Sequence, residues 1–328
     1  MKKVRSKKYK LLTSPKEIKF FTALGIILAI FLTISLVLGS RIQRGGVSAP
    51  TKVVNSSLFD SLKLTAESVY VYDSRTGEVL YEKNASKRLP LASLTKVMTA
   101  LVALDTAPSN STVRITTESL SPEGDSGLLV GETWKLKDLL DFSLTSSSND
   151  GMHAVALALG ALHQSNPTES EAQQDFVLTM NKKATALGMK NTYYTNETGL
   201  DESTKKGGAY GSAKDMATLF EYILKNHPEL LEATASNRIR AISLDNYAHS
   251  ARNTNEIVYD IPGIMASKTG FTDIAGGNLV IAFDPEIGRP IIISVLGSTQ
   301  DGRFTDMNKL VDASIKTIQK GSVEQKES

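Results

Sequence analysis

The run Phe20–Ser40, FFTALGIILAIFLTISLVLGS, contains no charged residue and constrains this chain more than any other stretch. About twenty residues rising 1.5 Å each cover the roughly 30 Å hydrocarbon core of a bilayer. Residues 1–19 carry eight Lys/Arg against Glu17 alone. Cations on that side hold the N-terminus in the cytoplasm and send the following chain outward. The expected organisation is a basic cytoplasmic tail over 1–19, a transmembrane signal-anchor over 20–40, a linker over 41–57, a folded extracytoplasmic body over 58–320 and a polar tail over 321–328. A cleaved signal peptide with Val47-Ser48-Ala49 as its small-residue site is the competing reading. Against it, the apolar run exceeds the usual h-region, and Arg41 and Arg44 precede that site. An internal core helix is a third reading, and no polar stripe in the run supports it.

The basic tail also explains the overall charge. It contributes +7 to a formal +2, which leaves the rest of the chain at −5. The cations are therefore a topology signal, and nucleic acid is not an expected partner. Cys is absent, so neither a disulfide framework, a cysteine nucleophile nor a thiolate metal site is open to this chain. His153, His163, His227 and His249 show none of the close pair spacings of a zinc helix, and no metal or other cofactor is expected.

In the body, Ser68–Asp73 and Glu78–Lys83 flank a Gly-containing turn and read as a hairpin. The stretch Pro90–Leu104, PLASLTKVMTALVAL, follows. Leu94, Val97, Met98, Leu101 and Leu104 repeat at helical spacing, so one face is buried. Ser93 and Lys96 stand i and i+3 at its start, where their side chains can meet. A serine hydroxyl needs a base to become a nucleophile, and a lysine with a lowered pKa can be that base. The spacing alone is weak, because Ser203 and Lys206 repeat it in a Gly- and Lys-rich loop with no apolar helix behind it.

Mostly helical patterns fill residues 112 to 235, with helices predicted over Lys135–Leu144, Asp150–Leu162, Phe176–Leu187 and Ser212–Lys225. Strands return at Ile264–Gly270, Asn278–Phe283 and Pro290–Leu296, before a last helix over about Arg303–Ile318. Two strands, a helical insert, three strands and a helix predict a mixed α/β (α+β) body. Its hairpin-length links make the five-stranded sheet antiparallel, with helices packed on it.

Three pieces combine in this order: Ser93-Leu-Thr-Lys96 at a helix start, Ser147-Ser-Asn149 between helices, and Lys268-Thr-Gly270 on a strand. Ser93 can attack a carbonyl with Lys96 as base. Ser147 can pass a proton to the leaving amine, while Asn149 holds Lys96 and the substrate amide. Lys268 is a second cation whose charge would keep Lys96 basic. Lys268 and Thr269 can bind a carboxylate, and Gly270 leaves room at the strand edge for a substrate backbone.

With the blocks TGEVLYEKNASKRLPLASLTKVMTAL, LTSSSNDG, TNETGLD, ASKTGFTDIAGGNLV and VLGSTQDGRF, the chain resembles the serine-type D-Ala-D-Ala carboxypeptidases among the low-molecular-mass penicillin-binding proteins. The likeness covers about residues 66–312. It implies the penicillin-binding-protein fold, with a sheet-and-helix part and an all-helical subdomain, and makes 58–320 the catalytic domain. It further implies an acyl-enzyme on Ser93 formed from a peptidoglycan stem ending in D-Ala-D-Ala, with β-lactams as covalent inhibitors. The backbone N–H groups of Ser93 and Phe271 would form the oxyanion hole, and Arg303 would lie near the substrate carboxylate. Leu91 stands where the family has a second proline, and Ala209 where many members have His. Only about ten polar residues follow Ile318, so the N-terminal helix is the expected membrane attachment. Two alternatives share the motifs: a class A-like β-lactamase using Glu197 to activate water, and a peptidoglycan-binding module without turnover.

Overall fold

Near-continuous runs of Val, Ile, Leu and Ala at residues 264–298 call for strands buried on both faces, and the structure supplies two covering layers. The computed structural model describes residues 57–163 and 165–327, so the basic tail, the Phe20–Ser40 span and nearly all of the linker lie outside the described residues. Among the described residues no helix is long and apolar enough to cross a membrane.

The central sheet contains β1 (Ser68–Asp73), β2 (Glu78–Lys83), β3 (Ile264–Thr272), β4 (Gly276–Phe283) and β5 (Ile291–Ser298). Their spatial order is β3-β4-β5-β1-β2, and every pair is antiparallel. The longer helices are α1 (Thr95–Thr106), α2 (Leu136–Ser146), α3 (Asn149–Gly160), α4 (Glu169–Ala186), α5 (Ala213–Asn226) and α6 (Gly302–Glu327). The five-stranded antiparallel sheet agrees with the sequence expectation. The last helix starts as expected but continues to Glu327, beyond the predicted Ile318.

Strand alternation sends side chains to two cores. Val69, Val71, Leu279, Ile281, Ile293 and Val295 meet Phe304, Met307, Leu310 and Val311 of α6. Tyr70, Val280, Ala282, Ile292 and Leu296 join the larger core that contains α1 and α5. In that core α1 is buried almost all round, against α3, α4 and α2. Its environment is set by packing, and its register is therefore tightly fixed.

The chain entering β1 is also tied to the start of α6. Asp306 accepts from the backbone N–H groups of Thr65 and Ala66 at 3.0 and 2.7 Å and from Ser298 Oγ at 2.9 Å. This arrangement fixes the end of α6 that carries Arg303 against the sheet.

Two departures bear on the site. A hairpin of Arg238–Ile242 and Ala248–Arg252 precedes β3, where no strands were predicted. The helix predicted over Phe176–Leu187 begins earlier, at Glu169, because Thr168 and Glu171 form a capping box.

Candidate active site

Ser93 sits in a 3-10 turn, Ala92–Leu94, that runs directly into α1. The turn begins with Ala92 at φ 48°, a left-handed conformation that costs a non-glycine residue energy and is held only by its surroundings. Those surroundings are specific. Asn278, inside β4, donates from Nδ2 to the carbonyls of Pro90 and Leu91 at 3.0 and 3.1 Å. Leu91, fully buried, donates its own N–H to Ala209 O. Lys96 Nζ then lies 2.8 Å from Ser93 Oγ, one turn away, and donates to Thr198 O at 2.8 Å.

The Ser147-Ser148-Asn149 tripeptide divides its work by backbone geometry. Ser148 caps α3 by accepting from Gly151 N at 2.9 Å. Ser147 ends α2 in a left-handed conformation, φ 62°, and Lys268 Nζ donates to its hydroxyl at 2.9 Å. Asn149 donates from Nδ2 to Glu123 O at 2.6 Å, and its Oδ1 is buried without a partner. The expected Asn149 contact to Lys96 is thus replaced by the Thr198 carbonyl, and Ser147 is bonded to Lys268.

Lys268, Thr269 and Gly270 lie on β3, the edge strand beside the nucleophile. Thr269 Oγ1 is 2.5 Å from Thr254 Oγ1, and Arg303 Nη1 donates to Gly270 O at 2.8 Å. Arg303 therefore reaches β3 from α6 instead of lying on the surface. Phe271 follows and is 42% exposed. A Cβ on Gly270 would lie 2.7 Å from Leu91 O and 3.2 Å from Ser93 N. The glycine is required by the nucleophile's own turn, a stronger constraint than the substrate clearance expected from sequence. Gly270→Ala is expected to lower acylation by a penicillin about 100-fold, as a small misplacement of reacting groups does. Second-order acylation rates with a thermal melt as the folding control would check this.

The charges explain which lysine can act as base. Burial holds Lys96 down at about 7, against the Glu197 carboxylate, which pulls the other way. Lys268 is lowered well below the ordinary lysine range, first by burial and then by the charges of Lys96 and Arg303. Burial also lowers Arg303, against the charges of Glu256 and Asp301. Burial is thus the leading cause of the lowered pKa of both amines. Chemically, the site offers a hydroxyl beside an amine that is unprotonated in part near neutral pH, with carboxylate-binding groups on the adjacent strand.

A profile described as D-alanyl-D-alanine carboxypeptidase matches residues 53–300, about three quarters of the chain. The chain belongs to that family. It is 32% identical to D-alanyl-D-alanine carboxypeptidase DacF of Bacillus subtilis over 75% of this chain, and spans 61% of that relative's length. It is 35% identical to a D-alanyl-D-alanine endopeptidase of Pseudomonas aeruginosa over 67% of each chain. Among solved structures, penicillin-binding protein D2 of Listeria monocytogenes in its cefotaxime-bound form superimposes with a TM-score of 0.64 at 30% identity, covering 77% of this chain and 98% of that one.

Within this D-alanyl-D-alanine carboxypeptidase frame, the sequence-selected residues form contact groups that meet at Gly270. Ser93 with Lys96 lies beside it, and Lys268, on the same strand as Thr269, Gly270 and Phe271, holds Ser147. Arg303 reaches Gly270 from α6, and Asn149 stands two residues after Ser147. Sequence reasoning missed Thr198, Thr254 and Asn278. Only Asn278 left a signal, as a lone amide inside an apolar strand. The β-lactamase alternative fails on Glu197. Both its carboxylate oxygens are taken, by His153 Nδ1 at 2.7 Å and Gln173 Nε2 at 2.9 Å, and its side chain is 2% exposed. Trp134 is core, bonded to Glu132 and packed on Phe142 and His249. Among the described residues no group of three His, Asp or Glu is placed to hold a metal ion.

Proposed function

We propose that this protein is a membrane-anchored serine D-Ala-D-Ala carboxypeptidase that trims the terminal D-Ala from peptidoglycan pentapeptide stems. The observation that carries the reading is Lys96 Nζ at 2.8 Å from Ser93 Oγ in a fully buried setting that lowers its pKa. Lys96 takes the Ser93 proton as Oγ attacks the penultimate D-Ala carbonyl. The N–H groups of Ser93 and Phe271 stabilise the oxyanion, each contributing on the order of 3 kcal/mol. Ser147 passes a proton to the leaving amine, the terminal D-Ala departs, and water hydrolyses the ester. The unpartnered Oδ1 of Asn149 accepts from the substrate amide. The stem carboxylate is bound by Lys268, Thr269 and Arg303. A negative charge arriving beside Lys268 favours its protonated form. A β-lactam mimics the acyl donor and leaves a covalent ester on Ser93.

The test is mass spectrometry of products after the full-length chain meets a pentapeptide muropeptide and, separately, a cross-linked dimer. Release of D-Ala with conversion to tetrapeptide is expected. The endopeptidase relative makes dimer cleavage the informative second arm, and exclusive dimer cleavage would reassign the preference. Unchanged peptides with no penicillin adduct would indicate the binding-only module.

The localisation belongs to the same proposal. Phe20–Ser40 and the flanking cations support a single-pass anchor with residues 1–19 in the cytoplasm, and the body, joined by the 41–57 linker, outside. The native protein is expected to fractionate with membranes, and protease added outside the cell should reach the body but not the tail. A mature N-terminus near Pro50 would instead show a cleaved signal.

A further inference from the structure

The carbonyl that receives Lys96 belongs to a loop anchored by charges that the proposed reaction does not use. Thr198 supplies that carbonyl, and Glu197 immediately before it is buried. Glu197 O accepts from Thr99 Oγ1 on α1 at 2.6 Å. Its Oε1 lies 2.7 Å from His153 Nδ1 on α3, and its Oε2 accepts from Gln173 Nε2 on α4 at 2.9 Å. His153 Nε2 lies 3.2 Å from Glu169 Oε1 at the start of α4. Gly199, at φ 79°, closes the loop against the nucleophile, since a Cβ there would overlap Ala92 O at 1.9 Å. One glutamate thus ties three helices to the residue that touches the base.

We propose that His153 and Glu197 are a positioning pair for Lys96, holding the Thr198 carbonyl against its Nζ and presenting it with a balanced charge instead of a bare carboxylate. This rests on the reading of Lys96 as the general base. The groups facing the pair are few. His153 faces Glu197 and Glu169, whereas Glu197 faces His153, Gln173 and the charge of Lys96. Burial disfavours the imidazolium, but the bonds and charges of Glu197 and then Glu169 outweigh it and raise the His153 pKa. Burial likewise disfavours the carboxylate, and His153 and Gln173 outweigh that, lowering the Glu197 pKa. Both shifts favour the pair as imidazolium and carboxylate. While it is balanced, Lys96 feels little net negative charge and can stay unprotonated.

The signs separate this role from that of a mere structural staple. Glu197→Gln removes the charge that favours protonated Lys96, so the acidic limb of acylation should move to lower pH. His153→Gln leaves Glu197 bare, so the limb should move to higher pH. Each shift should be about one pH unit. In a Glu197→Gln background the upward shift of His153→Gln should vanish, because no charge remains to be unbalanced. A staple would act otherwise: either change would loosen the loop, admit water to Lys96 and move both limbs up toward ordinary lysine behaviour.

The measurement is the second-order rate of penicillin acylation at Ser93 across pH 5 to 9, on the full-length chain, read as the mass of the adduct peptide. Opposite shifts with the expected double-variant result support the pair. Parallel upward shifts, or no shift, overturn it. If either buried variant fails to fold, Glu169→Gln at the half-exposed outer end serves instead. It weakens the hold on the His153 proton and should move the limb up, and an unmoved limb there overturns the proposal. A wild-type chain that forms no adduct at Ser93 defeats the underlying reading, and the pair's role falls with it.

Discussion

Ser93→Ala is expected to abolish covalent labelling by penicillin and to cut D-Ala release by a factor on the order of 10⁴ to 10⁶, the range seen when an acyl-transfer nucleophile is removed. Ser203→Ala should leave both near wild type. The two serines share the S-x-x-K spacing, so the contrast tests structure and not motif. Lys96 is buried, with a lowered pKa and its Nζ on Ser93 Oγ. Lys206 is exposed and paired with Glu202, which raises its pKa, and the Ser203 backbone pairs with that of Lys206 in a surface turn. One lysine can accept a proton near neutral pH and the other cannot. Peptide mapping of the adduct decides the matter. A label on Ser203, or a label that survives Ser93→Ala, would show the site to be misplaced.

Which parts of this site were legible in the sequence depends on what fixes each residue. Ser93, Lys96 and the Lys268-Thr-Gly270 run were legible because chemistry demands those residue types at those spacings. The sheet was legible because Ser68–Asp73, Glu78–Lys83 and the three late strands carry strong β patterns with short links. The Arg238–Ile242 and Ala248–Arg252 hairpin was not, since RIRAI and AHSAR are short and polar, with Ile239, Ala241 and Ala251 as their contribution to the core. Thr198 contributes a carbonyl, which any residue owns, so no letter could announce it. Gly270 was flagged for a different reason from the one that holds: its neighbour is the Leu91–Ser93 turn, 177 or more positions earlier in the chain. The roles of His153 and Glu197 were equally hidden, because 44 residues separate them and only the packing of α3 against α4 and the loop joins them. The start of α4 was readable in principle, through the Thr168/Glu171 capping pattern.

Lys268→Gln should lower the acylation rate by about 100- to 1000-fold, yet leave the acidic limb of the pH profile where wild type has it, near pH 7. The loss follows from contacts. Lys268 Nζ holds Ser147 Oγ at 2.9 Å and sits on the strand that carries Thr269 and the Arg303-bound Gly270. Removing it takes away a charge-assisted donor to the carboxylate and the partner of Ser147. The unmoved limb follows from what lowers Lys96, which is burial. For an amine, burial disfavours the charged form, and the form without a proton is the base; acylation therefore falls as pH drops through the Lys96 pKa. Lys268 is itself pressed toward the neutral form by burial and by the charges of Lys96 and Arg303, so deleting it removes little repulsion from Lys96. Lys268→Arg is a sharper variant, because a guanidinium stays charged across the whole profile. It should push the limb to lower pH while still offering donors to the carboxylate. The experiment is the acylation profile of wild type and both variants with one penicillin. A limb that climbs to higher pH in Lys268→Gln would mean that Lys268 is charged in the free enzyme, and that its repulsion, not burial, makes Lys96 a base.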